Sequence, residues 1–141
     1  MINKFDGNYD FLSNFYPVAI TFAGITYPSV ENAFQAMKTL NFNERLEFVN
    51  LTPNEAKHKG RRIVLRAKWD NIKPAIMLTL IRIKFENLEL REKLLATGDE
   101  ELIEGNYWND TFWGVCNGIG KNYLGKILMR VREEIKNGSK F

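Results

Sequence analysis

The chain has 141 residues, a formal net charge of +3, 45% hydrophobic and 26% charged residues, and a single cysteine, Cys116. That profile predicts one globular domain with its own core, and it excludes an intrachain disulfide. The longest apolar run, Ala75 to Leu80, is far too short to span a bilayer, and Met1 to Asp6 carries no apolar signal segment; the expectation is a cytoplasmic protein with no membrane partner.

Along the chain, the segment Phe11-Leu12-Ser13-Asn14-Phe15-Tyr16-Pro17 comes first, as an aromatic loop with a polar Ser-Asn pair inside it. Residues 18–27 predict a β-hairpin, with Ile20, Phe22, Ile25 and Tyr27 as its apolar positions and Ala23-Gly24 as its turn. Ser29 then predicts the cap of a helix over 30–40, and Asn43 that of a second helix running to about 50. Thr52-Pro53-Asn54-Glu55 has the order of a capping box with proline at the first helical position, and Gly60 is read as the end of that helix. Pro74 suits the first turn of a longer helix, along which Ile76, Met77, Leu80, Ile81, Phe85 and Leu88 keep helical spacing. Asn87 breaks it and caps a segment that stops at Thr97-Gly98. Short strands are expected at 101–104 and 113–115, then a final helix over 123–136, capped by Asn122, and a tail from Asn137 to Phe141. The sum is an α+β fold, predominantly helical, a compact single domain with short antiparallel β-hairpins. No strand–glycine loop–helix pattern occurs, which argues against a dinucleotide fold or a P-loop.

Three places carry residue types suited to chemistry. On the helix over 30–40, Gln35 falls about 40° and Lys38 about 20° from Glu31 in projection, so the three form one polar stripe. Ala33, Phe34, Met37 and Leu40 form the opposite, apolar face. A carboxylate, an amide and an amine in a row could serve a sugar hydroxyl, a leaving base and an anomeric carbon; a solvated polar face gives the same pattern. Asn14, flanked by Phe15 and Tyr16, is placed to read a base or ribose, or to sit in a loop that covers core. In the stretch Glu104 to Gly114, Asp110 and Trp113 either line one cavity or build a turn over a hydrophobic cluster. His58, between Lys57 and Lys59, is expected in solvent, and Cys116 as a small buried apolar side chain. The run Lys57-His58-Lys59-Gly60-Arg61-Arg62 is a solvated face or a phosphate contact. No cluster has metal-ligand spacing, and neither a metal nor a cofactor is expected.

These segments, taken in order, resemble the YbiA-like, or NADAR domain, N-glycosidase family over Phe5 to Arg132. The resemblance rests on Phe11 to Pro17, then Gly24, Tyr27 and Ser29, and above all on Glu31-Asn32-Ala33-Phe34-Gln35-Ala36-Met37-Lys38. Ala56-Lys57, Gly60, Trp69-Asp70, Lys73, Met77, Lys84-Phe85 and Asn87 continue it; Thr97-Gly98, Glu104, Asp110, Trp113-Gly114, Asn122, Leu124-Gly125 and Arg132 complete it. The stretch from Glu104 to Asp110 is longer than the family's, and the connection from Val115 to Lys121 is shorter; both departures bear on substrate choice.

The resemblance implies hydrolysis of a C1–N bond between a base and a phosphorylated ribose. The substrates it implies are ribosylamino-pyrimidine phosphates, early riboflavin intermediates, or alternatively ADP-ribosylated guanine, with nucleic acid then a partner. Active-site positions would fall on Glu31, Lys38, Trp69, Asp110, Trp113 and Asn122. The working assignment makes Lys38 the nucleophile, Glu31 the proton-transfer group and Asp110 a second carboxylate for developing positive charge. Asn14, Phe15, Gln35, Trp69, Lys73, Trp113, Asn122 and Arg132 are expected to bind substrate, with Lys73 and Arg132 serving the phosphate. A module that binds NAD or ADP-ribose without turnover is the rival outside catalysis. The sequence leaves the oligomeric state open.

Overall fold

A hairpin and four helices make up Asn14–Lys84 in the computed structural model, which describes residues 1–138 of the chain. Strands β1 (Ile20–Phe22) and β2 (Ile25–Tyr27) pair antiparallel, with Ile20 opposite Tyr27. The turn between them puts Ala23 (φ 50°) and Gly24 (φ 82°) both in the left-handed region, as a two-residue hairpin turn that matches strand twist requires. Helix α1 (Val30–Ala36) starts where expected, with the Ser29 hydroxyl accepting the Asn32 N–H at 3.1 Å.

Helix α1 ends sooner than the predicted span of 30–40. Its last turn tightens to i→i−3 bonds, Lys38 N–H to Gln35 and Thr39 N–H to Ala36, and the Lys38 carbonyl accepts from the Arg66 N–H at 2.8 Å. The chain therefore turns away before Leu40, which is 68% exposed and not on a buried face. Asn41, extended and with its side chain accepting the Glu44 N–H, caps α2 (Phe42–Leu46). The expected cap Asn43 lies inside that helix, which stops well short of residue 50 because Phe48 turns into the core. Buried Asn32 holds this corner, donating to the carbonyls of Phe48 and Leu51 at 2.9 Å each.

Helix α3 (Pro53–Gly60) carries the capping box in full: Thr52 Oγ1 accepts the Glu55 N–H and Glu55 Oε1 accepts the Thr52 N–H. Helix α4 (Trp69–Lys84) corrects a boundary. It begins at Trp69 and keeps Pro74 in its interior, where the missing N–H removes one ladder bond. Lys68, at φ 60°, starts the helix sharply and its carbonyl takes the N–H of both Asn71 and Ile72. Helix α1 packs on α3 and α4, and the hairpin packs on α1 and α4. The core so formed includes Ile20, Tyr27, Val30, Phe34, Met37, Phe48, Met77 and Leu80.

The second unit joins Met1–Ser13 to the chain from Phe85 onward. Gly7–Leu12 forms a 3-10 helical segment that buries Phe11 and Leu12. Helix α5 (Leu88–Ala96) is capped by Asn87 as predicted and packs on α6 (Tyr123–Lys136). The predicted strands at 101–104 and 113–115 are displaced to β3 (Gly105–Asn106) and β4 (Val115–Cys116), and they pair parallel, not antiparallel. Strands this short need no helical crossover, and the intervening loop, closed on itself, brings the chain back in the same direction. Asn122 precedes α6 as expected but its side chain does not cap it: at φ 52° its amide bonds residues 102 and 104 instead of a helix N–H. Of the predicted tail, Ser139, Lys140 and Phe141 lie outside the described residues. Among the described residues, no helix is long and apolar enough to cross a membrane.

Candidate functional site

The polar stripe on α1 is buried, which removes the solvated-face alternative. Every residue of α1 is inaccessible; Glu31 is 8% and Gln35 6% exposed. The two side chains touch across one helical turn, with Gln35 Nε2 donating to Glu31 Oε1 at 2.9 Å. Gln35 Oε1, by contrast, is buried with no hydrogen-bond partner. Lys38, half-buried just past the helix end, donates from Nζ to the Gly60 carbonyl at the end of α3, at 3.2 Å. Burial pushes the Lys38 pKa below that of an ordinary lysine; Glu31 pulls it back up, and the charges of Lys73 and Arg61 press it down again. A buried carboxylate thus stands two helical turns before an amine whose pKa burial lowers, with Gln35 between them.

Around this pair the same unit places several of the predicted binding residues. The Asn14 carbonyl accepts the Glu31 N–H at 3.0 Å, tying the aromatic loop to the start of α1. Asn14 Nδ2 reaches Met77 Sδ at 3.6 Å, and its Oδ1 is buried without a hydrogen-bond partner. Phe15, next to it, is exposed. Trp69 is buried against Phe34, ring centroids 5.2 Å apart, so it backs α1 from within the core instead of offering an open stacking face. Lys73 is half-buried and pairs with Asp70 at 3.1 Å.

The other predicted residues belong to the second unit. Asp110 Oδ1 accepts the N–H groups of Phe112 and Trp113 at 3.1 and 2.9 Å, while the Asn106 side chain bonds both the N–H and the carbonyl of Asp110. Trp113 is half-buried and stands edge-on to Phe112 at 4.7 Å. Asn122 has both ends of its amide engaged, accepting the Glu104 N–H and donating to the Leu102 carbonyl. Arg132 is buried and donates to Thr97 Oγ1 at 2.9 Å, which ties α6 to the end of α5. Cys116 is buried and His58 exposed, as expected.

Sequence reasoning gave no part in the candidate site to three residues of the first unit. Gly60 supplies the carbonyl that holds Lys38, Arg61 adds charge beside it, and Lys84 is 1% exposed at the end of α4 with Nζ 5.7 Å from the Tyr16 ring centre. A signal for Gly60 existed. Its φ is not in the left-handed range, so it is not the helix-ending glycine of the usual kind; glycine there marks a close approach. Among the described residues, no group of three His, Cys, Asp or Glu is placed to hold a metal ion.

Comparison with known proteins adds an independent line. The family model described as NADAR domain matches residues 2–136. An N-glycosidase of Nostoc punctiforme is 41% identical over 137 residues, spanning 92% of this chain and 87% of the relative. N-glycosidase YbiA of Escherichia coli is 39% identical over 133 residues, spanning 91% and 82%. A riboflavin biosynthesis protein of Vibrio vulnificus is 41% identical over 139 residues, but the chain spans only 37% of that protein. The solved NMR structure of E. coli YbiA superimposes with a TM-score of 0.84 at 36% identity, covering 98% of this chain and 88% of that one.

Proposed function

Because the chain belongs to the NADAR domain family, we propose that it is an N-glycosidase that hydrolyses the C1–N bond of a ribosylamino-pyrimidine phosphate. The observation that carries this reading is the half-buried Lys38 amine, its pKa lowered by burial, on one stripe with buried Glu31 two helical turns before it. Neutral Lys38 attacks the ribose C1. The bond from C1 to the base breaks, its electron pair leaves with the base nitrogen, and the Glu31 carboxylate takes a proton from the attacking Lys38 nitrogen and passes it to that base nitrogen. The ring oxygen then leaves C1, taking the remaining proton of the Lys38 nitrogen, and C1 becomes a Schiff base on Lys38. Water, deprotonated by the Glu31 carboxylate, adds to C1; the sugar phosphate leaves and the amine is regenerated. Gln35 holds Glu31 in place by its amide, and Lys73 and Arg61 supply positive charge for the substrate's phosphate. Asp110, in the other unit, has Oδ1 engaged by two backbone N–H groups and holds the shape of its own loop. A metabolic substrate of this kind fits a cytoplasmic setting.

A second reading, release of ADP-ribose from modified guanine in nucleic acid, draws on one feature. Tyr107 is 89% exposed and stands edge-on to partly exposed Trp108 at 5.1 Å, presenting ring surface on which a base can stack. Incubation with a ribosylamino-pyrimidine phosphate and with an ADP-ribosylated guanine oligonucleotide, followed by mass spectrometry with and without borohydride, separates the readings. Base release from the free riboside with a borohydride-trapped adduct on Lys38 is expected. Release only from the oligonucleotide transfers the assignment to the second reading. Binding of ADP-ribose with no release from either substrate leaves a binding module.

A further inference from the structure

Gly60 sits where α3 meets the polar stripe of α1, and it contacts Lys38 and Gln35 by different means. Its carbonyl accepts the Lys38 amine at 3.2 Å. Its bare Cα faces the end of the Gln35 side chain so closely that a Cβ built there would overlap Gln35 Oε1 and the amide carbon. That amide in turn holds Glu31 Oε1 through Nε2. We propose that Gly60 is a positioning residue for the glycosidase reaction, fixing Lys38 through its carbonyl and Glu31 through the room it leaves for Gln35. This rests on the assignment of Glu31 and Lys38 as the reacting pair.

The alternative, that glycine serves only close helix packing, makes different demands. The atoms a methyl group would meet are the far end of one side chain, not backbone, so Gly60→Ala is accommodated by moving the Gln35 amide. The helices stay packed while the bond from Gln35 to Glu31 is lost. Displacing that amide also opens the surroundings of Lys38 to water. Burial is the largest cause of the depressed Lys38 pKa, so admitting water raises that pKa toward the ordinary lysine value. The charged groups that act on the amine are Glu31 on α1, Arg61 after α3 and Lys73 on α4, and none is altered by the substitution.

The test is a cycle of Gly60→Ala, Gln35→Ala and the double variant, each assayed on the ribosylamino-pyrimidine phosphate. Gly60→Ala is expected to lower kcat roughly tenfold to a hundredfold, as small misplacements of reacting groups do, with a smaller change in KM. The acidic limb of its pH profile moves to higher pH. The double variant is no slower than the worse single one, because both act through the same amide. An unchanged kcat and pH limb with only a lower melting temperature, or losses that multiply in the double variant, overturns the proposal. Should Gly60→Ala fail to fold, Gln35→Ala breaks the same link without adding an atom, and a normal kcat and pH limb there overturns it equally. Competitive acetylation of Lys38 across pH, read by mass spectrometry, needs no substrate. If the wild-type protein releases no base, the glycosidase assignment fails. Positioning of Lys38 by Gly60 then still stands or falls on whether Gly60→Ala raises the pH at which Lys38 becomes reactive.

Discussion

Two carboxylates, Glu31 on α1 and Asp110 in the loop after β3, are held in opposite ways. Asp110 is fixed by backbone: Oδ1 takes two N–H groups of its own loop, and Asn106 clamps its main chain. Glu31 is buried on a helix, with Oε1 bound by the side chain of Gln35. A carboxylate that closes a turn is needed for the loop's shape whatever chemistry follows. One that is buried on a helix near a half-buried amine carries a desolvation cost, which marks it as a candidate for chemistry. Residue type therefore matters less than what already occupies the oxygens.

The sharpest way to break that contrast is to remove the amine. Lys38→Ala is expected to lower base release by at least about a hundredfold and to abolish the borohydride adduct, with circular dichroism unchanged. Near-full turnover would end the covalent route. In the wild-type protein, activity should rise with pH through the depressed Lys38 pKa and level off below the ordinary lysine range, since only the neutral amine attacks; Lys73→Ala should move that limb upward, because a like charge is gone. Stability carries the matching sign. The folded protein holds the Lys38 proton less tightly than the unfolded chain, so stability rises with pH between the two values, and Lys38→Met should flatten that slope in denaturant titrations.

Glu31→Gln and Asp110→Asn compare the carboxylates directly. The first is expected to cut kcat by about two orders of magnitude. The second keeps an acceptor oxygen for Phe112 and Trp113, and should cost roughly tenfold or less in kcat with little change in melting temperature. Equal losses would show that the two carboxylates share the chemistry. Among the purely architectural groups, Asn32→Ala strands the carbonyls of Phe48 and Leu51 and should lower stability by about 3 kcal/mol in urea. Thr52→Ala removes the α3 cap and should cost about 1 kcal/mol.

Local signals carried much of this in the sequence. The capping box at Thr52, the caps at Ser29 and Asn87 and the Ala23-Gly24 turn all appear as predicted, because each depends on neighbours within four residues. The errors arose where a distant contact decides the outcome. Helix α1 stops early when Arg66 takes the Lys38 carbonyl, and Asn122 gives up its cap to hold residues 102 and 104. The Glu31–Gln35–Lys38 stripe was visible from helical spacing, but its burial was not, since a polar stripe and a buried active face share one pattern. Gly60 does end α3 as read, but its close approach to the Gln35 side chain was not visible, because contact between helices leaves no periodic trace.

Pro74 has a consequence for motion. Without an N–H at residue 74, the Asp70 carbonyl lacks its helical donor, and the first turn of α4 is stitched to the remainder by one bond fewer. Met77, Leu80, Ile81 and Lys84 anchor the far end in the interior. The near end is held in the interior by Trp69 alone, so the turn from Asp70 to Lys73 is able to loosen while that ring stays in place. In amide hydrogen exchange, residues 70–73 should exchange through a low-energy local opening, while residues 78–84 wait for global unfolding.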